Sequence, residues 1–136
     1  MANGLYAKFK QLLLGGDIDL AADDIKVVLV DTADYTVNLA TDDFLADIAA
    51  GGRVATSGNL ASKTITLGVF DAADITFSAV TGDVSEALVI YKDTTDADTS
   101  PLIAYIDTVS SGLPVTPNGG DITITWDSGA NKIFAL

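Results

Sequence analysis

Short runs of β-branched and aliphatic residues, broken every few positions by Gly, Asn, Asp, Ser or Pro, predict a mainly β fold for this 136-residue chain. The expected architecture is an antiparallel β-sandwich or barrel-like single domain over residues 1–136, with a short N-terminal helix and a second short helix. Three observations carry that prediction. Strict alternation in Lys63-Thr64-Ile65-Thr66-Leu67, Ile75-Thr76-Phe77-Ser78 and Asp121-Ile122-Thr123-Ile124-Thr125-Trp126 gives each segment one apolar face and one Thr or Ser face. Turn-forming residues separate these segments. The acid is almost wholly aspartate, with Glu86 the only glutamate, and Asp favours turns and caps where Glu favours helix interiors.

In chain order, Leu5, Phe9, Leu12 and Leu13 recur at helical spacing before Gly15-Gly16, predicting an amphipathic helix of about ten residues. So short a helix is stable only when its apolar face docks, so residues 1–16 are a candidate docking segment. Asp17 to Asp24 is a connector, and Ile25 to Val30 a mostly buried strand. Thr41 to Ala50 opens with an N-cap residue and the acids Asp42 and Asp43, which suit the positive end of a helix dipole, and Gly51-Gly52 closes this second helix. Arg53 to Ser57, Lys63 to Phe70, Ile75 to Val80 and Glu86 to Tyr91 read as strands. Asp93 to Pro101 reads as a loop, and Leu102 to Ile106 as a strand. Ser110 to Gly120 is a shaped surface loop bearing Pro114 and Pro117. Asp121 to Trp126 and Lys132 to Leu136 then form a C-terminal hairpin around a loop of about five residues. Asp31-Thr32-Ala33-Asp34 and Asp71-Ala72-Ala73-Asp74 each follow an apolar strand, where Asp ends a strand by bonding its own backbone.

A chain of this length buries on the order of 70% of its unfolded surface, enough for a core without disulfide or metal staples. With no Cys and no His, thiol chemistry, Cys-based zinc sites and the commonest general base are absent. Most familiar enzyme classes are thereby demoted. The N-terminus lacks a basic segment followed by a long apolar core, so no classical export is expected. A formal charge of -12 repels phosphates and anionic lipid, so neither nucleic acid nor membrane is an expected partner.

Asp93, Asp96 and Asp98 are the weak metal candidate, because clustered carboxylates suit calcium; no glycine sits at a sharp turn and no Glu closes the loop, as an EF-hand requires. Gly15-Gly16, Gly51-Gly52 and Gly119-Gly120 match no phosphate-binding motif and read as stops and a strand entry. Ser57 and Ser110-Ser111 have no His partner, which excludes a conventional nucleophile. Trp126 sits in an alternating strand and reads as core. Arg53, the only arginine, is a structural ion-pair or subunit-contact residue. Leu5, Phe9, Leu113, Pro114 and Pro117 join it as interface candidates, because terminal segments and shaped loops reach neighbours from a rigid sheet.

Three stretches together, Ile25-Lys26-Val27-Val28-Leu29-Val30-Asp31-Thr32-Ala33-Asp34-Tyr35-Thr36-Val37, Ala87-Leu88-Val89-Ile90-Tyr91-Lys92-Asp93 and Gly112-Leu113-Pro114-Val115-Thr116-Pro117-Asn118-Gly119-Gly120-Asp121-Ile122, resemble a family of small virion structural proteins of tailed bacteriophages and prophages. The resemblance carries no catalytic signature. It implies a non-enzymatic virion component without a cofactor, a capsid decoration or cement protein assembled in the host cytoplasm. Its partner would be the major capsid protein, and it would be a homo-oligomer, with a trimer favoured. The alternatives are a tail or neck accessory protein, or a carbohydrate-binding sandwich for host attachment with Trp126, Tyr91 and Tyr105 as stacking groups.

Overall fold

A computed structural model describes residues 3–136. The largest sheet has five antiparallel strands in the order β1-β8-β7-β2-β3: β1 (Gly4–Leu5), β2 (Ile25–Val30), β3 (Arg53–Thr56), β7 (Ala87–Lys92) and β8 (Leu102–Ile106). Its central strand, β7, pairs in unbroken register with β2 from Ile25↔Lys92 to Val30↔Ala87, along the Val27-Val28-Leu29-Val30 run. All five residues of β8 are buried, as are all of β7 but Lys92 and all of β2 but Lys26. Continuous apolar sequence is the signature of a sheet covered on both faces.

Two smaller sheets share its core. One is β10 (Phe134–Ala135), β5 (Val69–Asp71) and β4 (Thr64–Thr66); the other pairs β6 (Ile75–Phe77) with β9 (Ile122–Ile124). In the β6–β9 pair Ile75, Phe77, Ile122 and Ile124 point inward, while Thr76 and Thr123 face outward with their hydroxyls 3.1 Å apart. Helix α1 (Ala7–Leu14) brings in Phe9, whose ring meets Phe134 edge-on at 5.8 Å; Phe134 lies 5.2 Å from Phe70. One hydrophobic core therefore joins helix, main sheet and the three-stranded sheet.

Several expectations are corrected. Leu5 belongs to β1, paired with Ala104, and the helix begins at Ala7. The second helix is replaced by two 3-10 turns, Leu45–Asp47 and Ala50–Gly52. Asp47 reaches back so that its Oδ2 accepts the N–H groups of Asp43 and Phe44, closing a tight turn, and Phe44 is extended and bridged to Pro101. Asp42 and Asp43 therefore start no helix. Lys63 to Phe70 is a hairpin of two strands, β4 and β5, and all three residues of β4 are exposed, not half-buried. The C-terminal segments do not pair with each other: β9 pairs with β6 and β10 with β5.

Candidate interaction surface

Most carboxylates and most cations are committed within the chain. Asp93 pairs with Lys26 at 2.7 Å and accepts the Thr95 N–H, so the Lys26 ammonium and that N–H hold its carboxyl below the usual range, while the pair raises Lys26. Burial pushes Asp23 up, but the Asp19 N–H and the Lys92 ammonium at 3.1 Å outweigh it and leave its acidity strengthened. Lys92 also donates to the Asp17 carbonyl, and Lys63 to the Asp23 carbonyl, fastening the 17–24 connector to the sheet. Lys8 lies 3.9 Å from Asp43 and above the Phe44 ring. Glu86 accepts both the N–H and the hydroxyl of Thr32, capping the end of β2.

The loop Asp93, Asp96, Asp98 does not converge into a metal site. Asp93 is ion-paired and Asp96 accepts the Asp98 N–H. Among the described residues a different trio gathers, Asp31, Asp34 and Asp83, with one oxygen of each within 4.8 Å of the others. Sequence reasoning found the Asp31–Asp34 strand end but not Asp83, which comes from a distant loop. Calcium takes about 6–8 oxygens, and Asp31 already uses Oδ1 on the Ala33 N–H. The trio stands as acid gathered at the end of β2.

The interface candidates divide. Phe9 is fully buried, as is Tyr6, so neither offers a contact outward, while Leu14 at the end of the same helix is exposed. Met1 and Ala2 lie outside the described residues. Leu5 is half-buried against the core. Arg53 is half-buried, and its Nε is buried without a hydrogen-bond partner. Leu113 and Pro117 are half-buried and Pro114 is exposed, in a loop pinned by paired bonds between Ser85 and Val115 and by the Gly119 N–H to the Val80 carbonyl.

The stacking platform is lost. Trp126 is 4% exposed and donates its Nε1–H to the Ala73 carbonyl, and Tyr91 and Tyr105 are buried, with burial raising both phenols. Tyr6, Tyr35 and Asp42 form a chain. The Tyr35 hydroxyl donates to Asp42 Oδ2 at 2.7 Å, so the Tyr6 hydroxyl, 2.8 Å away, must be the donor to Tyr35. Desolvation raises both phenols, and Asp42 adds to the effect.

The surface feature missed from sequence is apolar. Among the described residues five large apolar side chains are exposed: Leu14, Ile65, Leu67, Val84 and Leu136. Ile65 and Leu136 line a groove of ≈ 330 Å³ together with Leu13, Ile18, Phe70 and Phe134, while Leu14 and Leu67 adjoin its lining residues Leu13 and Gly68 in the chain. No helix among the described residues is long and apolar enough to cross a membrane. No family model matches this chain, and no curated protein matches it.

Proposed function

We propose that this chain is a non-enzymatic structural component of a tailed-phage virion, a decoration or cement protein that binds the outer shell through the major capsid protein. It works without a cofactor, and its expected state on the particle is a homo-oligomer, a trimer on a local threefold axis. The supporting sequence observation is the three-part resemblance over residues 25–37, 87–93 and 112–122. In the structure these stretches comprise the two buried strands β2 and β7 and the surface loop that bridges to Ser85.

The observation that carries a structural role is the combination of a doubly covered sheet with an acidic exterior that bears an apolar patch. A lattice-covering protein needs rigidity, solubility under crowding and an uncharged contact, and net negative charge discourages adhesion to packaged DNA. The test is saturable co-sedimentation of the purified protein with heads that lack it. Binding at a fixed ratio to the shell protein, with heads made more resistant to heat and salt, is the expected result. Absence of binding would move the protein to the tail or neck.

A further inference from the structure

The β4–β5 hairpin turns on Leu67-Gly68, a two-residue loop between the paired residues Thr66 and Val69, with φ of +51° and +82°. Two positive φ values mark the type I′ geometry, whose first central position is ordinarily Asn, Asp or Gly because a larger side chain crowds the left-handed backbone. Here the residue is leucine, and its side chain is 100% exposed. Strained backbone and bare apolar surface fall on one residue, and no contact within the chain offsets either. Local rules broken together in this way point to a function outside the isolated chain.

Beside this knob lies the groove floored by Phe70 and Phe134. Its one lining residue with a charged side chain, Asp19, turns Oδ1 to the N–H groups of Ala21 and Ala22. The hairpin itself carries no charge from Thr64 to Phe70, and β4 is the last strand of its sheet, with one backbone edge unpaired.

We propose that this patch is where copies of the chain meet, with Leu67 of one copy seated in the groove of the next. Three observations select a second copy as the occupant. Knob and groove belong to the same patch, so the surface complements itself. Copies that each carry -12 repel one another across any acidic face, whereas here the uncharged stretch Thr64 to Phe70 meets a groove with a single acidic side chain, Asp19. Leu67, Leu136 and Ile65 with the exposed parts of the groove lining present on the order of 400 Å² per copy, which brings two copies to about 800 Å², toward the lower end of what a specific interface needs. The free edge of β4 adds backbone donors and acceptors at the rim. The inference goes beyond the virion reading and does not depend on it, since self-association is measured on isolated protein and head binding on particles.

The experiment is sedimentation of the wild-type chain and of Leu67→Asp, Leu67→Gly and Ile65→Lys over a concentration series. The wild type is expected to form an oligomer whose mass distinguishes two copies from three. The variants are expected to shift toward the 14.0 kDa monomer, with the dissociation constant weakened at least about tenfold. Leu67→Gly separates contact from folding: it relieves the left-handed backbone, so the monomer should melt no lower than wild type while still failing to associate. Added salt should tighten association, because it screens repulsion between the copies. A wild-type chain that stays monomeric at about 100 μM, or a folded Leu67→Gly that keeps the wild-type mass, would overturn the proposal.

Discussion

Replacing Tyr35 by Phe keeps the ring and removes one oxygen, yet two neighbours lose by it. Tyr6 is fully buried, and its hydroxyl has Tyr35 as its acceptor, so the variant leaves a buried O–H unsatisfied at about 1–3 kcal/mol. Asp42 keeps the Asn38 N–H at 2.8 Å but loses a charge-assisted bond worth about 1 kcal/mol more. The expected loss is about 2–4 kcal/mol. Tyr6→Phe is milder, near 1 kcal/mol, because Tyr35 still donates to Asp42. The double variant carries no orphaned hydroxyl, so it should cost less than the sum of the singles by about 1–2 kcal/mol. Denaturant unfolding followed by the fluorescence of buried Trp126 measures all three. A Tyr35→Phe loss under about 0.5 kcal/mol, or strict additivity, would refute the directional chain.

Stability should also fall at high pH. Tyr6, Tyr35, Tyr91 and Tyr105 all have phenols raised by burial, and Lys26 is raised by Asp93. Groups raised in the folded state contribute fully below their unfolded values near 10, and that contribution fades above them, by about 1.4 kcal/mol per pH unit for each phenol still protonated in the fold; a flat unfolding free energy from pH 9 to about 11.5 would contradict this. Asp23 and Asp93 are lowered, so their smaller, partly solvent-screened contribution should be lost as pH falls through the carboxylate range, and Lys26→Met should flatten the Asp93 part of an acid-unfolding curve. Ser57→Ala removes the acceptor of the Val27 N–H inside the main sheet and should cost about 1–3 kcal/mol by denaturant unfolding. Gly112 has φ +116°, and a Cβ there would stand 2.7 Å from the Thr123 carbonyl, so Gly112→Ala should lower stability by at least about 2 kcal/mol, visible as a depressed melting temperature.

The central strands were legible because burial on both faces demands near-continuous apolar sequence, which Val27 to Val30, Ala87 to Tyr91 and Leu102 to Ile106 supply. The β4–β5 hairpin was hidden for a specific reason: its turn begins with Leu67, the kind of residue that signals strand continuation rather than a turn. Thr41 to Ala50 has a helix opening but no sustained stripe of apolar residues, and the Asp47 carboxylate closes a tighter turn. At the C-terminus alternation correctly marks Ile122–Ile124 as a strand, but partners are chosen by tertiary packing, and β9 and β10 enter different sheets. Trp126 as core was legible from its alternating strand. Phe9 as an outward contact was not, since helical spacing marks an apolar face without saying that the face is wholly consumed inside the molecule.

The pairing of β1 with β8 sets an order of events during synthesis. Asn3 accepts the N–H groups of Asp107 and Thr108 and donates to the Thr108 carbonyl, so one rim of the main sheet is sealed by residues about a hundred positions apart. Gly4 and Leu5 are made before β8 and have no strand to pair with until it is synthesised, and β5 must likewise wait for β10. Until then the apolar face of β2 is open to other nascent chains. Such non-local closure slows folding and lengthens exposure to aggregation. A surface dense with aspartate keeps those half-built chains apart while the sheet waits for its last strands.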